Sequence, residues 1–280
     1  TQSRSSAASD VYKRQPYIRK ITNMIRKKNI YTKGITKNFR ISRSKVDLYI
    51  KCKRCFWLDR VKGLGMIQPP SFTLNNAVDN LLKNEFDYYR SAKKKHPIFI
   101  KNNLNIIPFS HPNLNEWREN FKGISYTDTE LDLVFTGAID DLWINLDTGK
   151  LIVVDYKATS KEGRISISNS GWWPAYKRQI DFYSFLLIKN GLELEPYGFF
   201  LYANAIKDGL FEKNLKFNLQ LIRYEYNIDW IPNKIKELAS TLNNQNMPEG
   251  TRTCDHCSYF EDRQISYRTL NYGQNLDLFD

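Results

Sequence analysis

Asp155 and Lys157 close the apolar run Leu151-Ile-Val-Val154. Residues two apart on a strand share a face, so this carboxylate and amine point together while Val154 and Tyr156 turn to the other side. Charged groups at the end of a buried strand are costly unless they pair or bind something. Alone, Asp155-Tyr-Lys157 is equally well read as an ion pair at a strand end. A second carboxylate comes from the preceding strand, where Gly137-Ala-Ile-Asp140 sets Asp140 near the partner end of a short hairpin. Two strand carboxylates can then converge on a divalent cation. Phosphodiester hydrolysis uses such an arrangement: the metal polarises the phosphate and activates water, and a nearby cation stabilises the developing charge. Asp140 and Asp141 face opposite ways, so at most one serves this site.

A second cluster is formed by thiols. All four cysteines fall in two pairs, Cys52-x-x-Cys55 and Cys254-x-x-Cys257, the ligand set of a tetrahedral thiolate site. Zinc and iron–sulfur clusters both accept four thiolates, so the ligands alone do not separate them. His96, His111 and His256 are isolated, and no serine or cysteine nucleophile has its partner residues at a familiar spacing.

Several elements must position these groups. Ser42 or Ser44 can cap a helix carrying Val46, Tyr49, Ile50, Trp57 and Val61 at helical spacing, ending before Gly63. A second helix follows with the stripe Leu74, Ala77, Val78, Leu81, Leu82 and Phe86. Residues 93–121 are rich in Lys, Asn and Pro and are expected to be a loop region, a candidate flap. Residues 124–158 switch to period two and are expected to form an antiparallel meander, with Val134 to Ile144 as one strand and Asp147-Thr-Gly149 as a hairpin turn. A helix from about Pro174 to Asn190, strands near Tyr197–Ala205 and Leu215–Tyr226, and a helix near Trp230–Leu242 complete an α/β core. Trp172-Trp173 should overhang the cleft, where adjacent indoles suit base stacking, although burial in the core is equally plausible.

The chain has 280 residues, 41% of them hydrophobic and 14% aromatic, enough for one sizeable core. No apolar run is long enough to span a membrane, and a soluble, cytoplasmic protein is expected. The formal charge of +12 is concentrated in residues 1–40, which carry eleven Lys or Arg against Asp10 alone. Such an arm can track phosphates by counterion release, although charge runs are commonly just solvated tails. Residues 1–15, small and polar without apolar periodicity, resemble an adapter-derived artefact and are not expected to belong to the fold.

In this order, the sequence resembles the RecB-like PD-(D/E)xK nucleases, including the CRISPR-associated and AddB-type exonucleases. The matching segments are Ser42 to Cys52, Gly137-Ala-Ile-Asp140, Val154-Asp-Tyr-Lys157, Gln179-Ile-Asp-Phe-Tyr183, and Cys254 with Cys257. The resemblance implies a restriction-endonuclease-like core with a mixed central sheet flanked by helices. It implies Asp140, Asp155 and the Tyr156 carbonyl as ligands to Mg²⁺ or Mn²⁺, Lys157 as the catalytic lysine, and Gln179 and Tyr183 bordering the site. Where the family's second helix presents a His or Glu to the metal, Asp79 stands here, with Glu85 in reserve. The family also implies a four-iron four-sulfur cluster on Cys52, Cys55, Cys254 and Cys257, with structural Zn²⁺ as the alternative; its usual one-early, three-late spacing is replaced here by two and two.

The expected organisation is a basic, disordered arm over 1–40, a nuclease domain over 41–265 closed by the four-cysteine site, and a flexible tail over 266–280. The expected activity is metal-dependent hydrolysis of DNA by an exonuclease acting on single strands or ends, in repair, replication or defence. A non-catalytic nucleic-acid-binding protein with a degenerate core is the alternative. The tail Gln274-Asn-Leu-Asp-Leu-Phe279 resembles the short peptide that docks bacterial replication and repair proteins on the sliding clamp.

Overall fold

A computed structural model of the chain describes residues 28–66, 72–210 and 212–270. In chain order the elements are β1 (Phe39–Ser42), α1 (Arg43–Lys51), α2 (Lys53–Arg60), α3 (Thr73–Ala92), α4 (Pro97–Lys101), β2 (Ile106–Pro108), α5 (Leu114–Trp117), β3 (Ile124–Asp128), β4 (Leu133–Gly137), β5 (Asp141–Asn145) and β6 (Leu151–Thr159). They continue with α6 (Trp173–Lys189), β7 (Gly198–Ala205), β8 (Phe217–Tyr224), α7 (Trp230–Leu242) and α8 (Asp255–Leu270).

The central sheet has the order β2-β5-β6-β7-β8, in which β6 runs parallel to β7 and the other neighbours are antiparallel. A smaller sheet has the order β1-β4-β3, with β1 parallel and β3 antiparallel to β4. This is the mixed sheet flanked by helices that the family resemblance implies. Side-chain alternation sorts the core around it. Val78, Leu82 and Phe86 of α3 pack with Trp143, Ile152, Val154 and Tyr156 on one side. Leu142 and Val153 join Phe182, Leu186 and the α1 and α7 side chains on the other.

Four expectations are corrected. The meander is two separate hairpins: β3 and β4 belong to the small sheet, β5 and β6 to the central one. The expected strand from Val134 to Ile144 breaks at Ala138–Asp140, because α5 takes over its backbone groups: Ile139 N–H donates to the Trp117 carbonyl, and Arg118 Nε donates to the Asp140 carbonyl. The first helix divides at Cys52, whose extended φ of −159° separates α1 from α2. Its cap position is Ser42, but without a side-chain cap bond; Ser42 Oγ lies instead 2.9 Å from Ser44 Oγ. Residues 93–121 are not a loose flap, since Ile98, Phe99, Ile106, Leu114 and Trp117 are all buried and carry α4, β2 and α5. Composition masked those anchors because the apolar runs that carry them are short and separated by Lys-, Asn- and Pro-rich stretches.

The folded part also extends past the expected boundaries. Tyr31 bonds Asn243 through its hydroxyl and the Arg60 carbonyl through its amide, and α8 runs across residue 265. Residues 1–27 of the basic arm and the Gln274–Phe279 peptide lie outside the described residues. No helix among the described residues is long and apolar enough to cross a membrane.

Candidate active site

β6 positions the two central groups. Its parallel pairing with β7 sets Asp155 beside Phe200 and Lys157 beside Tyr202, with Val154 and Tyr156 turned into the opposite cluster. Asp155 is fully buried. Lys157 Nζ is in direct ion-pair contact with Asp155 Oδ2, but the approach lacks hydrogen-bond geometry. Among the described residues neither Asp155 oxygen accepts a hydrogen bond, which is unusual for a buried carboxylate.

Asp140 reaches the same place from the break between β4 and β5. Its Oδ2 accepts the Tyr156 amide at 2.8 Å. Burial, and then the charge of Asp155, push its pKa up to about 7. Two carboxylates that raise each other's energy in this way suit a divalent cation. Lys157 is charged despite burial, because Asp155 and Asp140 outweigh the desolvation cost and raise its pKa. Its ammonium also lies 4.6 Å from the centre of the Tyr176 ring, a cation–π contact that sequence reasoning missed.

Helix α6 delivers the glutamine and tyrosine. Lys157 Nζ donates to Gln179 Oε1 at 3.4 Å, and Gln179 Nε2 donates to the Tyr183 hydroxyl at 3.1 Å, one turn further on. Gly137 makes room for this helix: a Cβ there would stand 2.8 Å from Tyr183 Cε1. The glycine of the Gly137–Asp140 segment and the tyrosine of the Gln179–Tyr183 segment are thus two sides of one contact.

The two helix candidates on α3 separate. Asp79 is near the site, bonded by Lys83 Nζ at 2.7 Å, and the same ammonium is 3.7 Å from Asp140 Oδ1. Lys83 was missed because a lysine on a helix surface carries no signal by itself. Glu85 is not at the site; it points away to His96 Nε2 at 2.8 Å, and His96 caps α4 through Nδ1. The tryptophans also divide: Trp173 is buried against Phe200 and Tyr202, while Trp172 is 69% exposed.

Asp141 is far from dispensable in structure. It is fully buried and bonded by Arg90, Arg118, Leu142 N–H, Trp143 Nε1 and the Tyr156 hydroxyl. Arg118 also holds the Asp140 carbonyl and Asp87, so this network fixes the segment that presents Asp140. The arginines come from residues far away in sequence, which is why spacing did not reveal them.

The four cysteine sulfurs lie within 4.8 Å of one another and could hold a metal ion.

A pair of carboxylates beside an ammonium, on a strand of a mixed sheet flanked by helices, is an arrangement suited to metal-dependent phosphodiester hydrolysis. The sequence comparison narrows this. The family model of the PD-(D/E)XK nuclease superfamily matches residues 68–261, and the chain belongs to that superfamily. No curated protein matches it.

Proposed function

We propose that the chain is a DNA nuclease of the RecB-like type, acting as an exonuclease in repair, replication or defence. Asp155 carries this reading: it is fully buried, meets only the Lys157 ammonium among the described residues, and faces a second carboxylate whose pKa is raised. In this reading the Asp140 and Asp155 carboxylates and the Tyr156 carbonyl hold Mg²⁺ or Mn²⁺, with Asp79 as a further ligand. The ion supplies Lewis-acid polarisation of the phosphate and a water acidic enough to attack it. Lys157 stabilises the charge that develops on the phosphoryl oxygens. Gln179 orients Lys157, and Tyr183 orients Gln179. Exposed Trp172 offers a stacking face to an unpaired base. The basic arm adds phosphate contacts, and the Gln274–Phe279 peptide adds docking to a bacterial sliding clamp.

The test is incubation of the full chain with labelled single- and double-stranded DNA, and with RNA, with and without Mg²⁺ or Mn²⁺. Metal-dependent cleavage of DNA is expected, and Lys157→Ala should abolish it in a chain that still folds. One observation favours the alternative, a nucleic-acid-binding protein without cleavage: Lys83 already sets a cation of the protein's own between Asp79 and Asp140. A folded wild type that binds DNA but cleaves nothing with either metal would establish that reading instead.

A further inference from the structure

The two cysteine pairs are built alike. Cys52 is the cap before α2 and Cys55 is its third residue; Cys254 directly precedes α8 and Cys257 is its third residue. All four sulfurs therefore gather at two helix N-termini, where backbone N–H groups and the helix dipole favour thiolates. The pairs close on one another. Cys52 Sγ is 3.6 Å from Cys257 Sγ, and Cys55 Sγ is 3.6 Å from Cys254 Sγ and 3.7 Å from Cys257 Sγ. Gly250 packs over the same point, where a Cβ would stand 3.1 Å from the Cys257 sulfur.

These separations distinguish the two groups that accept four thiolates. Around a single ion with metal–sulfur bonds of about 2.3 Å, a tetrahedron has sulfur–sulfur edges of about 3.8 Å. In a four-iron cluster each thiolate ends on its own iron, so the width of the inorganic core holds the terminal sulfurs further apart. Three edges of 3.6 and 3.7 Å fit the single ion, and with all four sulfurs within 4.8 Å of one another no space is left for the core. We infer that Cys52, Cys55, Cys254 and Cys257 hold one tetrahedral zinc ion, in place of the iron–sulfur cluster that the family resemblance implies. A closed set of four thiolates, with no position left for water or substrate, is the arrangement of structural zinc. The ion ties α2 to α8, linking Cys52 with Cys257, 205 residues further along the chain. The inference stands on the sulfur geometry alone and does not depend on the nuclease reading.

The decisive measurement is the metal content and visible spectrum of the full chain, purified in parallel with and without oxygen. Zinc at one ion per chain, with a colourless protein in both preparations, is expected. Exchange with Co²⁺ should give the visible spectrum of a tetrahedral cobalt–thiolate site, and Cys254→Ser should alter it. Because that variant can fail to fold, the wild-type metal content decides. Iron and acid-labile sulfide at about four each per chain in the anaerobic brown protein would overturn the inference. So would a folded chain containing no stoichiometric metal.

Discussion

Asp155 and Asp141 lie on adjacent strands of one sheet, both fully buried, and the fold treats them oppositely. Asp141 receives two guanidinium groups, a backbone amide, an indole and a phenol. Asp155 receives the Lys157 ammonium and no hydrogen bond. A buried carboxylate with every lone pair engaged stabilises its surroundings, whereas one left incomplete is stable only beside a group that supplies the rest. Burial alone therefore does not identify chemistry; the donor set around the buried group does.

The contrast breaks first at Asp155. Asp155→Asn should lower cleavage by about a thousandfold or more, since it removes a ligand and the partner of Lys157. Its melting temperature should fall less than that of Asp141→Asn, because Asp140 remains as a carboxylate partner for the buried Lys157 ammonium. Retained cleavage would sink the assignment. Asp141→Asn should do the reverse, costing about 3–5 kcal/mol by leaving two buried arginines underpaired. At about 2–4 °C per kcal/mol, thermal melting should show a drop on the order of 10 °C. A drop of under two degrees would mean that Asp141 is not the clamp described above.

A third buried carboxylate sharpens the comparison through pH. Burial disfavours the charge of Asp59, but its bonds from Lys45 and Arg60 outweigh that cost and hold its pKa below the ordinary 3.8. A carboxylate with a depressed folded-state pKa stabilises above the unfolded value, and the contribution is lost as pH falls through the folded one. Asp59→Asn should therefore lower the melting temperature fully at pH 7 and at pH 5. The gap to wild type should narrow only as the pH falls below about 4. A gap that persists unchanged into acid would mean that packing, not charge, sets the cost.

Gly137→Ala tests whether the carboxylate segment and α6 are one unit. The new Cβ would press on Tyr183 and on Leu186 Cδ1, 3.1 Å away, at a cost of about 1–3 kcal/mol in an overpacked core. Cleavage should fall together with stability, because Tyr183 carries Gln179 and Gln179 carries Lys157. A variant that melts lower with cleavage unchanged would uncouple Gly137 from the site.

Much of this site was legible in the sequence because its signals are local. Alternation along β6 paired Asp155 with Lys157, and one helical turn paired Gln179 with Tyr183. The two C-x-x-C pairs announced a common site across the whole fold. What stayed hidden depends on long-range contact. The break before Asp140 is imposed by α5, the Asp141 clamp by Arg90 and Arg118, and the Lys83 bridge by the packing of α3 on β6. The regular structure in residues 93–121 was missed for the same reason. Short runs such as Ile98-Phe99-Ile100 and a lone Trp117 make no period, and only the clusters they join show why that chain is ordered.

The smallest effect is expected at Trp172, and it separates two neighbours that the sequence could not tell apart. Trp173 is packed edge-on against Phe200 at 5.4 Å and belongs to the core, so Trp173→Ala should cost about 3–5 kcal/mol in stability. Trp172 stands at the start of the same helix, 69% exposed, with the Lys51 ammonium 5.9 Å from its ring. An exposed indole adds little to the fold, but together with a cation it presents a flat apolar face and a positive charge, the combination that holds an unpaired base and its phosphate. Base stacking is worth ~1–3 kcal/mol, so Trp172→Ala should weaken binding of a single-stranded oligonucleotide by about tenfold at fixed salt. Thermal melting should be unchanged, and binding of blunt duplex should change less. Fluorescence anisotropy with single-stranded and duplex probes reads the difference directly. Equal loss on both probes would assign Trp172 to the backbone path, and no loss on either would leave it a surface residue without a role in DNA binding.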